Sequence, residues 1–298
     1  MEKQPTREEL KKRYEEAAKK AIAEFPYERI DVPGPGDQAL AAWESVQARH
    51  GSSAVVVGDE DQFIRIVQGS TQWPGGPTRR TTEQILEAAD RLRHPDDLMT
   101  KHSSDIARAR ERAMQLMRER PDLRMPPEIR LPPSLEAVLG DPRVMSLEEV
   151  LAATVREGGP ELGEWPTEPM GAPQLTVATE TLTGSQLSKV QLVILPTDDW
   201  TTIPAYLNWG NWNGCPAPEY HVAALRSWRD RFGAELIGLS HDVMNIRVKR
   251  RPETREAALD LAREQYAYCS DIVDQGVETL SALAAVLMQS DWWYFWWD

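Results

Sequence analysis

Two cysteines in 298 residues, Cys215 and Cys269, are too few and too far apart for a disulfide scaffold or a structural zinc site. Both read as reduced thiols. No window approaches the roughly 18 apolar residues of a membrane span, and the first thirty residues lack the apolar stretch of a secretory leader. Positive charge is short as well: 34 Lys and Arg stand against 47 Asp and Glu, a net charge of −13 that repels phosphate backbones and argues against nucleic-acid binding. Missing too are GxxxxGK[ST], a dinucleotide-binding glycine fingerprint after a strand, GxSxG and HExxH. These absences speak against phosphate-loop hydrolysis, α/β-hydrolase chemistry and zincin proteolysis. Neither a cofactor nor a metal is indicated, and a soluble cytoplasmic protein is expected.

Tryptophan, by contrast, is plentiful, with eleven residues. The sequence closes on Trp292-Trp293-Tyr294-Phe295-Trp296-Trp297-Asp298. Two-residue alternation sends Trp292, Tyr294 and Trp296 to one face and Trp293, Phe295 and Trp297 to the other. So apolar a stretch would aggregate in water, and it reads as an interior strand covered on both sides.

Periodicity divides the rest of the chain. Residues 1–30 hold a helix from Thr6 to about Glu24, with a narrow apolar stripe. In residues 31–75, Ala39, Leu40, Trp43 and Val46 mark a second helix, and Ala54-Val55-Val56-Val57 a buried strand. A turn at Gly58-Asp59-Glu60-Asp61 and a further strand, Phe63 to Val67, follow. Residues 76–170 are rich in proline and read as a helical insertion, with pieces at 81–93, 103–119 and 146–157. Residues 171–298 form the second α/β part. It has strands at 190–195, 235–239 and 243–248, a helix from about Pro216 to Gly233, and two apolar-striped helices before the aromatic strand. The segments 54–67 and 234–248 share an order of features that allows a weak internal repeat beside chance similarity. The expected architecture is α/β: a mixed sheet with flanking helices, a buried aromatic C-terminal strand and a helical insertion in the first half.

Three blocks resemble the signature of a bacterial family, domain of unknown function 4253. They are Trp209-Gly210-Asn211-Trp212-Asn213-Gly214-Cys215-Pro216 with the residues leading into it from Pro204, then Glu264-Gln265-Tyr266-Ala267-Tyr268-Cys269-Ser270-Asp271-Ile272-Val273-Asp274-Gln275-Gly276, then Trp293 to Asp298. The resemblance covers about 190–298, with a fainter echo over Ala39 to Gly58. It implies a domain, not a reaction.

Two groups of residues carry candidate chemistry. The loop Trp209 to Pro216 places Trp209, Asn211, Trp212, Asn213 and Cys215 just ahead of a helix start, where anions and thiolates are favoured. Cys215 is a candidate nucleophile with His221 as its base, although residues six apart lie on different faces of a helix and no third orienting group is identifiable. Glu264, Tyr268, Asp271 and Asp274 crowd around a helix end, where Asp271 or Asp274 as an N-cap is the simpler explanation. The favoured reading is a module that binds a partner protein with a basic surface, or a small ligand, through the Trp209–Cys215 loop, with Tyr268 and Asp274 beside it. An immunity-type role fits that reading. The alternative is a hydrolase-type pocket near Cys215, His221, Glu264 and Asp271.

Overall fold

A computed structural model describes residues 16–20, 22–33, 36–49, 51–69, 80–119, 159–168, 171, 174–180 and 183–297. The first part of the expected leading helix, the 146–157 helix and Asp298 lie outside them. The described elements are β1 (Glu28–Pro33), α1 (Gly36–Gln47), β2 (Ser53–Gly58), α2 (Glu60–Gly69), α3 (Thr82–Ala89), α4 (Asp96–Glu119), β3 (Lys189–Leu195), α5 (Ile203–Leu207), α6 (Pro218–Phe232), β4 (Glu235–Leu239), β5 (Val243–Arg247), α7 (Arg255–Tyr268), a π-helical segment (Ile272–Val277), α8 (Leu280–Gln289) and β6 (Trp292–Trp296).

The six strands form one mixed sheet in the order β1-β3-β2-β4-β5-β6, in which only β2 and β4 run parallel. Strand β2 is fully buried, and its alternate side chains divide the core. Val55 and Val57 face α6, α7 and α8 through Leu225, Trp228, Leu261 and Leu283. Ala54 and Val56 face α1 through Ala39, Trp43 and Val46. The sheet is therefore covered on both faces, as its apolar runs require. On the α1 side, a short 3-10 turn at Thr176–Ala178 is pinned to the sheet by Asn245, whose Oδ1 accepts from Val177 N at 3.0 Å. Gly238 permits that approach, because a Cβ there would lie 2.5 Å from Val177 Cγ2.

Three sequence expectations change. Phe63 to Val67 is not a strand: it lies in α2, where Asp59 Oδ1 accepts from Gln62 N at 2.9 Å and Phe63, Ile66 and Val67 turn one face to the core. A run of five apolar-rich residues fits either period, and the cap with the i, i+3, i+4 spacing decides for helix. The internal repeat goes with it, since 54–67 is strand then helix whereas 234–248 is two strands. Finally, β6 is an edge strand, not an interior one. Trp293, Phe295 and Trp297 are buried, whereas Trp292, Tyr294 and Trp296 are half-buried.

Within residues 76–170 the described helices dock on the C-terminal half. Ile85 and Ala89 of α3 pack on Ala205 and Val222, and Leu98 of α4 joins the main core.

Candidate functional site

Cys215 precedes α6 instead of lying in it, because Pro216 and Pro218 delay the helix start to Pro218. The objection that residues six apart point to different faces therefore does not apply. Cys215 Sγ lies 3.4 Å from His221 Nε2, and His221 Nδ1 lies 2.5 Å from the Tyr268 hydroxyl, which reaches Met244 Sδ at 3.5 Å. The loop is shaped for this contact. Gly210 has φ +115°, and a Cβ there would stand 2.3 Å from Pro216 O and 2.7 Å from His221 Nε2. Asn211 and Asn213 also take left-handed backbone, a conformation asparagine tolerates better than most residues.

The chemistry of this chain of groups is set by burial. Cys215, His221 and Tyr268 are all buried. Burial, with Cys269 nearby, pushes the Cys215 thiol well above its usual range, and it brings His221 down to about 3. Burial likewise raises the Tyr268 phenol. At neutral pH the groups are an uncharged thiol, imidazole and phenol, whereas nucleophilic attack needs a thiolate. The trio acts as a buried polar brace between the loop, α6 and α7.

Glu264 belongs to a separate cluster. Its carboxylate accepts from Trp228 Nε1 at 2.5 Å, from His94 Nε2 at 2.8 Å and from Arg231 at 2.8 and 2.9 Å. Burial alone would raise its pKa, but the hydrogen bonds and charges of His94 and Arg231 outweigh burial and hold it below the ordinary carboxylate range. Glu264 thus ties α7 to α6 and to the turn before α4. His94 and Arg231 carried no signal in the sequence, since His94 lies in the segment read as an insertion and Arg231 in an ordinary charged helix end.

The remaining candidates separate. Trp209 is core: it is buried, its Nε1 donates to Ser240 O at 2.8 Å, and its ring meets Trp212, His221 and Trp297. Asn211, Trp212, Asn213 and Cys215 line a cleft of about 450 Å³ with Lys101, Asp105, Arg108 and Arg112 of α4. Asp274 is exposed on the π-helical segment and accepts from the Tyr266 hydroxyl at 3.2 Å. Asp271 precedes that segment without a side-chain cap bond, and Thr279 caps α8 through Ala282 N. The N-cap explanation for the acidic residues is therefore replaced by a threonine cap. Among the described residues, no three His, Cys, Asp or Glu side chains gather in a way that could hold a metal ion, and no helix is long and apolar enough to cross a membrane.

A larger groove, about 750 Å³, runs along the outer edge of β6. One bank is the 176–184 segment; the other is α8 with the π-helical segment, and the wall is the half-buried face of β6. Gln265 and Trp293 also line it, and both are buried. Gln265 Nε2 and Trp293 Nε1 have no hydrogen-bond partner among the described residues. Leaving a buried donor unpaired costs about 1–3 kcal/mol, so such groups call for an acceptor. Burial, with the Asp242 carboxylate nearby, pushes the Tyr294 phenol up to about 12.

Residues 191–298 match the family model for a domain of unknown function, DUF4253. That third of the sequence supplies most of β3, all of β4 to β6, the Cys215–His221–Tyr268 brace, Glu264 and most of the groove. No curated protein and no solved structure matches the chain.

Proposed function

We infer that the protein works as a binding module and that its site is the groove along β6. The observation that carries this is the pair of unpartnered buried donors, Gln265 Nε2 and Trp293 Nε1, on residues that line a groove of the size small ligands occupy. Half-buried aromatic side chains of β6 supply contact area at small entropic cost, the usual make-up of a recognition surface. The Trp209–Cys215 loop supports this reading from inside, because Trp209 props the core behind β6 through Trp297.

A hydrolase reading draws on the Cys215–His221 contact, but both groups are uncharged and buried. Binding asks nothing of them beyond support.

Ligand-observed NMR of the full chain against a mixed set of small organic fragments tests the reading. Fragments are expected to bind, and Thr179→Trp, which plugs the groove from its half-exposed bank, is expected to abolish the signal with little change in Tm. Fragment binding undiminished by the plug would sink this assignment.

A further inference from the structure

Resting on that reading, the groove's lining also indicates which ligand it selects. Glu180, Asp242 and Asp271 lie on it, and no lysine, arginine or histidine does among the described residues. The second cleft has the opposite character, with Lys101, Arg108 and Arg112 around a single aspartate. The wall adds to the negative potential, because the faces of indole and phenol rings attract cations.

The protein covers five of its other aromatic rings with its own cations. Arg29 sits over Phe63, Arg231 over Phe232, Arg247 over Trp43, Arg255 over Trp165 and Lys101 over Tyr220. Among the described residues, no such cation covers Trp292, Tyr294 or Trp296. What sets these three rings apart is the groove they share with the carboxylates.

Size and shape follow from the edge of the strand. An extended peptide would dock by pairing with the outward carbonyls of β6. Trp292 O is already taken by the Ser290 hydroxyl at 2.8 Å, and Trp296 O by the Cys269 thiol at 2.9 Å. Two outward carbonyls of the edge are thereby engaged within the molecule, which disfavours strand addition. Gln265 and Trp293 also line the groove and each has a buried side-chain donor without a partner among the described residues, which favours a ligand that brings an acceptor as well as a positive charge.

We propose that the groove binds a small organic cation, a substituted ammonium or guanidinium group carrying a carbonyl or hydroxyl acceptor. The cation would lie against the rings of Trp292, Tyr294 and Trp296 near Asp242, and its acceptor would take the free hydrogens of Gln265 and Trp293.

Tryptophan fluorescence titrations of the full chain test this with acetylcholine, its neutral isostere 3,3-dimethylbutyl acetate, N-acetylarginine methylamide and an arginine-rich peptide as probes. At least one of the two small cations should bind, and the neutral ester should bind at least about tenfold more weakly than acetylcholine where acetylcholine is the ligand. Trp296→Ala and Asp242→Asn should each weaken the cation by a similar factor, and Gln265→Leu should weaken it without changing the cation preference. Trp296→Phe should restore most of the binding, which separates ring contact from folding damage. Equal binding of ester and cation would overturn the charge selection while leaving the groove as a binding site. Binding of the peptide alone would overturn the small-molecule assignment. No binding of any probe, with no fragment bound in the NMR test, would end both readings.

Discussion

The Trp209–Cys215 loop and the β6 strand hold seven of the fifteen aromatic residues of the C-terminal third, and they exchange the roles their sequences suggest. The loop has the composition of a contact surface, with Trp, Asn and a thiol before a helix, yet Trp209 and Cys215 are buried and serve as support. The strand has the composition of a core element, yet one of its two faces borders the groove of about 750 Å³. Residue type states what chemistry is available. Only the packing of distant elements decides which side of that chemistry meets solvent.

The sharpest way to break the comparison is to truncate each region on both of its sides. Phe295→Ala should cost about 3–5 kcal/mol in urea unfolding, because its fully buried ring stacks on Trp228 and meets Tyr268. Trp209→Ala should cost a similar amount for the same reason. Tyr294→Ala and Trp212→Ala, one residue or a few away but half-buried, should each cost only about 1 kcal/mol. Equal costs within either pair would mean that the two sides are not distinct.

Next in size is Glu264→Ala, which strands Arg231 and His94 and should cost about 3 kcal/mol. Because the folded carboxyl titrates below its unfolded value, this stabilisation is complete above about pH 4.5 and is lost as pH falls further. The variant should therefore show a flatter acid limb below that pH; an unchanged limb would place the charge elsewhere.

His221 gives a smaller effect in a different window. Unfolded, it takes up a proton near 6.5, and folded only near 3, so its neutral form stabilises the fold fully above pH 6.5. As pH falls below that, the protein should lose about 1.4 kcal/mol per pH unit from this group. Urea midpoints of His221→Gln should fall less steeply between about pH 6 and 4 than those of the parent. Parallel slopes would show a charged imidazole in the brace.

The smallest perturbation is chemical. Iodoacetamide should label native Cys215 at least about tenfold more slowly than the unfolded chain, since its thiol is buried and raised in pKa. Rapid labelling at neutral pH would reopen the nucleophile reading.

Much of the architecture could be read from periodicity. The buried β2 run, α6 ending at Gly233, the β4–β5 pair and the stripe of α8 all stand where their patterns put them. α2 could not, because five residues fit two periods and the deciding contact is a side-chain cap at Asp59. The position of β6 in the sheet could not either, because alternation fixes which residues share a face but not how many strands lie beyond it. At the site, Cys215 and His221 were legible as a pair and their distance was not, since two prolines displace the start of α6. The groove left the faintest trace. It is assembled from the 176–184 segment, the π-helical turn and a strand edge, far apart in sequence and joined only by the fold.

Ser290 and Cys269, each holding one outward carbonyl of β6, also bear on how the molecule behaves in a crowd. A bare margin this rich in indole would invite a second copy to zip onto it and extend the sheet from molecule to molecule. Two small side chains, one hydroxyl and one thiol, each occupy a carbonyl on that seam, and oxidation of the single sulfur would free one of them for a neighbour.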